Sequence, residues 1–273
     1  MTNITEDLAC EMHALEEEIQ ASKLLKGLKL IELRKKCLNA QPTPHISIDG
    51  MWNDELLDNV RCEVEVLNEW AGEKQFVGSR QKRWQSDWEN FPPNSKQFIS
   101  YLNQPLVLRI IEFLFNEQGL VSDPYLEGGG IHSTGEGGFL KLHADFNWHK
   151  KLKLYRRINI LVYLNKDWKK EYGGQIELAG KNADGAFFSQ VALDPVFNRT
   201  LIFITDDHSY HGQPNPVKIG LNKRRNSIAA YYYQANKPAD TAEQKRTATN
   251  YVDEKGKKLR SGFIHNLITK FSR

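Results

Sequence analysis

The sequence predicts an α+β chain in which helices come first and a β core follows. Three observations carry this reading. Apolar residues in the first part recur at three- and four-residue steps, as in Leu8, Met12, Leu15 and Ile19. The texture changes after Gly119, where GGG at 128–130 and GEGG at 135–138 separate short apolar segments. Those segments are rich in β-branched and aromatic residues and are bounded by turn residues. Short strands so spaced suggest a β-sandwich or open barrel, with the helices supporting one face.

Taken in order, residues 5–38 (EDLACEMHALEEEIQASKLLKGLKLIELRKKCL) read as helix, with acids early and bases late. With the residues before them they make a helical arm over 1–40. QPTP at 41–44 breaks the pattern and marks a linker. DELLDNVRCEVEVLNEWAG at 54–72 is a second helix, with Asp54 as its N-cap. Residues 96–118 form one or two further helices, broken near Pro105 and stopped at Gly119. The strands expected after that are INILVYLN (158–165), GQIELAG (174–180), RTLIFITD (199–206) and SIAAYYYQ (227–234). The main domain spans 41–240. A polar, basic tail over 241–273, ending in the apolar turn GFIHNLITKF, is expected to fold back on it.

Composition narrows the function classes. A chain of 273 residues, 40% hydrophobic and 26% charged, buries a core without staples. Its net charge of +3 gives no dense basic patch, so no nucleic-acid partner is expected. No apolar run approaches the length of a membrane span, and MTNITEDLACEM lacks the pattern of a secretory signal. Cys10, Cys37 and Cys62 are odd in number and far apart, which excludes a disulfide framework or a cysteine zinc site and points to a reducing cytoplasm. The oligomeric state is not legible.

The chemistry concentrates in HADFNWH, residues 143–149. On an extended strand His143 and Asp145 share a face, because residues two apart point the same way. An imidazole and a carboxylate so placed can share one cation but need a third ligand. His211, in ITDDHSYHGQPNPV just beyond an apolar strand, supplies it. Two histidines and one carboxylate are the facial set of non-haem Fe(II) oxygenases, a mixed nitrogen and oxygen site that leaves positions open for a co-substrate and dioxygen. The other reading of these residues is polar side chains at strand ends. His149 and His208 compete for the ligand roles and are read as supporting or surface histidines. His132, after the GGG turn, either lines the pocket or is buried and hydrogen-bonded. A second anchor follows in KRRNSIAAYYY: Arg225 and Ser227 alternate onto one face, where a guanidinium and a hydroxyl can hold a carboxylate.

These pieces resemble, in order, the prolyl 4-hydroxylase-like branch of the 2-oxoglutarate- and Fe(II)-dependent dioxygenases. HADFNWH carries the H-x-D, RRINILVYLNKDW and GGQIEL resemble the strands that follow it, FITDDHSYHGQPNPV carries the distal histidine, and RRNSIAAYYY resembles the R-x-S strand. DPYLEGGGIHSTGEGGFLKLHADFN resembles the lead-in of bacterial members. The resemblance covers roughly residues 120–235 and leaves the helices before residue 95 unmatched. It implies a double-stranded β-helix (jelly roll) core with supporting N-terminal helices. It implies iron on His143, Asp145 and His211, with the distal carboxylate of 2-oxoglutarate on Arg225, joined by Tyr163 and, less directly, Ser227. The cofactor set it implies is Fe(II), 2-oxoglutarate and O2, with ascorbate admissible as an auxiliary. Related halogenases have a small residue where this chain keeps Asp145, so hydroxylation of an unactivated C–H bond is the expected reaction.

The substrate is less legible: a prolyl or other residue in a peptide, a free amino acid, or a natural-product intermediate all suit the fold. HKKLKLYRR at 149–157 reads either as a cationic lid over an acidic substrate or as a solvated loop. Phe139, Phe146, Trp148 and Ile204 are candidate apolar walls of the site. Two other classes stay open: a non-catalytic jelly-roll binding module, and a metal-dependent hydrolase, which would want a general base beside its metal.

Overall fold

The computed structural model describes residues 6–181, 186–238, 244–253 and 255–259. The expected apolar turn at 262–271 lies outside these residues. The elements before the long strands are α1 (Glu6–Ala21), α2 (Leu30–Leu38), β1 (His45–Asp49), α3 (Asp54–Glu65), β2 (Gly72–Phe76), β3 (Ser79–Gln85), α4 (Pro93–Leu102) and α5 (Pro105–Phe115). There follow β4 (Val121–Ser122), β5 (Gly130–Ala144), β6 (Trp148–His149), β7 (Leu154–Tyr163), β8 (Ile176–Lys181), β9 (Phe187–Leu193), β10 (Arg199–Ile204), β11 (Tyr210–Gln213), β12 (Arg225–Gln234) and β13 (Asn250–Tyr251). The chain is α+β, as expected.

The single N-terminal helix expected over 5–38 is two. Between α1 and α2, Leu25 leaves the helical path to form a β-bridge with Trp52, and Lys26 donates its backbone N–H to Met51. The second helix stops at Glu65, short of 72, and GEKQF at 72–76 is a strand. The cap of that helix is Asn53 rather than Asp54: its side chain accepts from the Leu56 N–H at 3.0 Å. Pro105 does divide the next stretch, sitting in the first turn of α5, where its missing N–H costs nothing.

The strands follow the order β1-β10-β7-β12-β5-β11-β8-β9, with β3 added to β5. Alternation decides the layers. On β7, Ile158, Ile160 and Val162 face one way, and with Ile202, Ile204, Ile228, Ala230 and Tyr232 they bury the inner faces of the helices. Leu15, Ile19 and Leu30 of α1 and α2 lie in this same core. The residues between them, Asn159, Leu161 and Tyr163, face the other way. Ile176 and Leu178 of β8 come back over Tyr163, Leu201 and Phe203, although β8 lies far from β7 and β10 along the sheet. The sheet is therefore curled on itself as a double-stranded β-helix, with a cavity between its walls. Among the described residues no single helix is long and apolar enough to cross a membrane; α4 and α5 meet the length and composition criterion only as a pair bent by 46°, and α5 is largely buried in the core.

Candidate functional site

The cavity, about 360 Å³, is lined from strand registers that fix which side chains become neighbours. Directly paired residues share a face. Lys82, Thr134 and Arg225 make one row across β3, β5 and β12. Trp84, His132, Ser227 and Tyr163 make the next, reaching β7, and Ala229 and Leu161 the third. At the far end β11 pairs with β5 so that His211 stands opposite His143.

There His143, Asp145 and His211 converge. One donor atom from each lies within 4.8 Å of the others. His143 Nε2 is 3.6 Å from Asp145 Oδ1 and His211 Nε2 is 3.4 Å from Oδ2. The opposite ring nitrogens face backbone carbonyls: His143 Nδ1 lies 2.8 Å from Lys141 O, and His211 Nδ1 3.5 Å from Ser209 O. A proton on each Nδ1 leaves both Nε2 lone pairs aimed at a carboxylate, three acceptors with no hydrogen between them. Such a cluster wants a cation at its centre, and the nitrogen and oxygen set suits a ferrous ion.

The electrostatics agree. Burial, and then the neighbouring imidazole, pushes His143 down to about 3, so it stays neutral. Burial likewise lowers His211. For Asp145 burial alone would raise the carboxyl, but Arg156, the two imidazoles and Asn159 outweigh it and hold it well below the usual range. Arg156 pairs with Asp145 Oδ2 at 2.8 Å, Asn159 Nδ2 donates to the same oxygen at 2.9 Å, and the guanidinium lies 3.5 Å from the Tyr231 ring centroid. Sequence reasoning did not single out Arg156 or Asn159; both are buried polar groups on a strand that reads as apolar.

Arg225 is buried. Its Nε donates to Gly174 O at 2.7 Å and its guanidinium carbon lies 5.0 Å from the Tyr163 ring centroid. No acid faces it among the described residues; its polar neighbour is the buried Tyr163 hydroxyl. A buried guanidinium without a counter-ion is costly, so this corner is suited to an anion. The double glycine of GGQIEL belongs to it: Gly174 has φ +67°, and a Cβ there would press on the Arg225 side chain at 3.2 Å.

Other expected residues fall elsewhere. His149 is fully buried away from the triad; its Nδ1 accepts the N–H groups of Lys151 and Leu152, and its Nε2 faces Asp123 and Glu127 at 3.4 and 3.3 Å. His208 is exposed. Of the four candidate wall residues only Phe146 lines the cavity: Trp148 stacks on Tyr155, Ile204 lies in the helix-side core, and Phe139 pairs with Arg80. The bases of 149–157 do not form a lid. Lys150 and Lys153 are exposed, Lys151 lies over Tyr125, Arg157 pairs with Glu117, and Arg156 alone reaches the cavity.

His132 lines the cavity and is buried there beside the Gly128 backbone, so it is a wall of the pocket. Burial, then Lys82 and Lys74, holds its imidazole well below 6.5. The unfolded chain therefore takes a proton here as pH falls through 6.5 while the folded protein does not, and stability is lost on the acid side. In metal-free protein, melting temperature between about pH 7 and about pH 5 should fall more steeply for the wild type than for His132→Asn. Equal slopes would contradict the assignment.

Comparison with known proteins matches residues 129–233 to the family model of the 2OG-Fe(II) oxygenase superfamily. Among solved structures, a prolyl 4-hydroxylase from Pseudomonas putida superposes with TM-score 0.53 at 16% identity, covering 74% of this chain and 98% of that one. The Trichoplax adhaerens prolyl hydroxylase, solved with a hypoxia-inducible-factor peptide fragment, gives 0.50 at 17%, covering 85% and 94%. A non-haem α-ketoglutarate-dependent epimerase of nogalamycin biosynthesis gives 0.53 at 13%, covering 85% and 92%. At these identities the superpositions show the fold.

Proposed function

We propose that this chain is a 2OG-Fe(II) oxygenase with one catalytic pocket that hydroxylates an unactivated C–H bond. His143, Asp145 and His211 hold the ferrous ion, Arg225 and Tyr163 take the distal carboxylate of 2-oxoglutarate, and Ser227 lies beside them. The observation that carries the assignment is the meeting of three acceptor atoms with no proton to share. When bound, the ion, 2-oxoglutarate and O2 supply the oxidant and release succinate and CO2.

The chain's own residues do the rest. Lys141 O and Ser209 O orient the imidazoles, and Arg156 and Asn159 fix the carboxylate. The Arg225 fork, its Nε tied to Gly174, keeps two nitrogens for the carboxylate. Phe146, Leu161, Ile176 and Ala229 give the cavity apolar walls that exclude water from the reacting centre. Retention of Asp145 keeps a ligand where halide would otherwise enter, which supports hydroxylation.

We read 1–40 as a supporting helical arm, 41–240 as the oxygenase domain and 241–273 as a tail on that domain. Three free cysteines agree with a cytoplasmic setting. The hydrolase reading gives way to the family match. The test is Fe(II)-dependent conversion of 2-oxoglutarate to succinate against a panel of proline-containing peptides, free amino acids and small carboxylated or phosphorylated compounds. One class should stimulate turnover, and zinc should not replace iron. Failure to consume 2-oxoglutarate with any metal would sink the assignment.

A further inference from the structure

The hairpin β2–β3 lies outside the span matched to the family, yet it furnishes one wall of the cavity. Lys74, Lys82 and Trp84 all line it. Lys82 faces inward because the strand slips. The register of β3 on β5 shifts between Arg80 and Lys82, where Gln81, with φ 53° in the left-handed region, stands against residues 135–138 of β5. A bulge of this kind reverses the phase of alternation, so that Ser79 and Lys82 are both turned inward where an even strand would turn one of them out. The bulge is pinned from outside: Arg224 donates to Gln81 O at 3.1 Å and to Ser133 Oγ at 2.7 Å. A strained, braced residue beside a catalytic cavity is a feature that asks for a purpose.

The charges around Lys82 define that purpose. The cations lining the cavity are Lys74, Lys82, Arg156 and Arg225, and the acids are Glu127 and Asp145. Arg156 is paired with Asp145, and Glu127 is turned to His149. Arg225 awaits the co-substrate. Lys82 has no ion pair and no hydrogen bond among the described residues, and Lys74 lies over the Trp84 ring at 5.7 Å, at the solvent-exposed mouth. Metal on Asp145 would weaken the one acid within electrostatic reach of Lys82. Burial, then repulsion from Lys74 and Arg225, pushes the Lys82 ammonium down to about 7, the mark of a cation without compensation.

We propose that Lys82, with Lys74 at the mouth, is an oxyanion subsite for the prime substrate, and that the enzyme acts on a small molecule bearing a carboxylate or phosphate. The inference rests on the oxygenase reading, since Arg225 must be occupied by 2-oxoglutarate for Lys82 to be free. Lys82 and Arg225 are two strands apart in one row, about 10 Å between backbones, which separates the two anion sites.

The test uses anaerobic protein saturated with Fe(II) and 2-oxoglutarate, its visible absorption recorded first. Inorganic phosphate, propionate and neutral propionamide are then titrated by calorimetry. Phosphate or propionate should bind and propionamide should not; whichever anion binds more tightly names the substrate class. Lys82→Gln should weaken that anion by about tenfold or more and change 2-oxoglutarate affinity less than about twofold. Lys82→Arg should restore most of the binding, and Lys151→Gln, which removes a charge outside the cavity, should change nothing. The proposal is overturned if neither anion binds to a sample that shows the iron–2-oxoglutarate absorption, or if Lys82→Gln weakens 2-oxoglutarate instead. Absence of that absorption is a different failure, since it would remove the oxygenase reading itself.

Discussion

Asp145→Ala should abolish succinate formation and also destabilise the fold, and the two effects should be separable. Loss of one of three ligands removes several kcal/mol of metal-derived transition-state stabilisation, a rate loss on the order of 10³-fold or more. The second effect has a different origin. Arg156 is buried against Tyr231 and Phe146, and its charge is balanced by Asp145 at 2.8 Å. Removing the carboxylate strands that guanidinium, at a cost of about 3–5 kcal/mol. His211→Ala leaves no such charge and should lose turnover with a smaller drop in melting temperature. The double variant Asp145→Ala/Arg156→Met, in which an unbranched apolar chain fills the slot between the rings, should recover much of the stability and none of the turnover. If the single Asp145 variant is as stable as His211→Ala, the ion pair does not matter as argued.

Arg225→Gln should raise the KM for 2-oxoglutarate by about 10²-fold, the cost of losing a bidentate charged contact to a buried carboxylate. Glutamine retains polarity but not charge, so the corner would no longer need an anion. Arg225→Lys should recover little. A lysine cannot keep the Nε bond to Gly174 O while offering two parallel donors, and its ammonium is a point charge where a fork is required. An unchanged KM in the glutamine variant would show that the distal carboxylate lies elsewhere.

The residues that carry these predictions differ in how plainly the sequence announces them. His143, Asp145 and His211 stand at strand spacing among apolar neighbours, and Arg225 with Ser227 does the same, so periodicity alone puts them on shared faces. β12, which carries Arg225 and Ser227, is read within a few residues, as are β7 and β10, because all three are buried on both sides and rich in Ile, Leu and Tyr. The bounds of β5 and β11, which carry His143 and His211, are not legible, since glycines interrupt the first and the second is four residues long. The hairpin 72–85 was not legible. GEKQFVGSRQKRWQ shows no apolar alternation, since one face meets solvent and the other a polar cavity, and the Gln81 bulge breaks the period where Lys82 turns inward. Arg156 reads as one of five bases in a basic run, and only the sheet shows that it alone turns into the cavity. The break after α1 is set by Leu25 pairing with Trp52, a long-range contact that helical propensity cannot foresee.

The most direct measurement is anaerobic addition of 2-oxoglutarate to the Fe(II)-loaded protein, followed in visible light. A keto acid chelating the ferrous ion of this site should produce a weak band near roughly 500 nm that saturates at one equivalent. The band should vanish in His211→Ala and need far more 2-oxoglutarate in Arg225→Gln. Iron bound with no such band, or a band that persists without His211, would contradict a centre built from these three side chains.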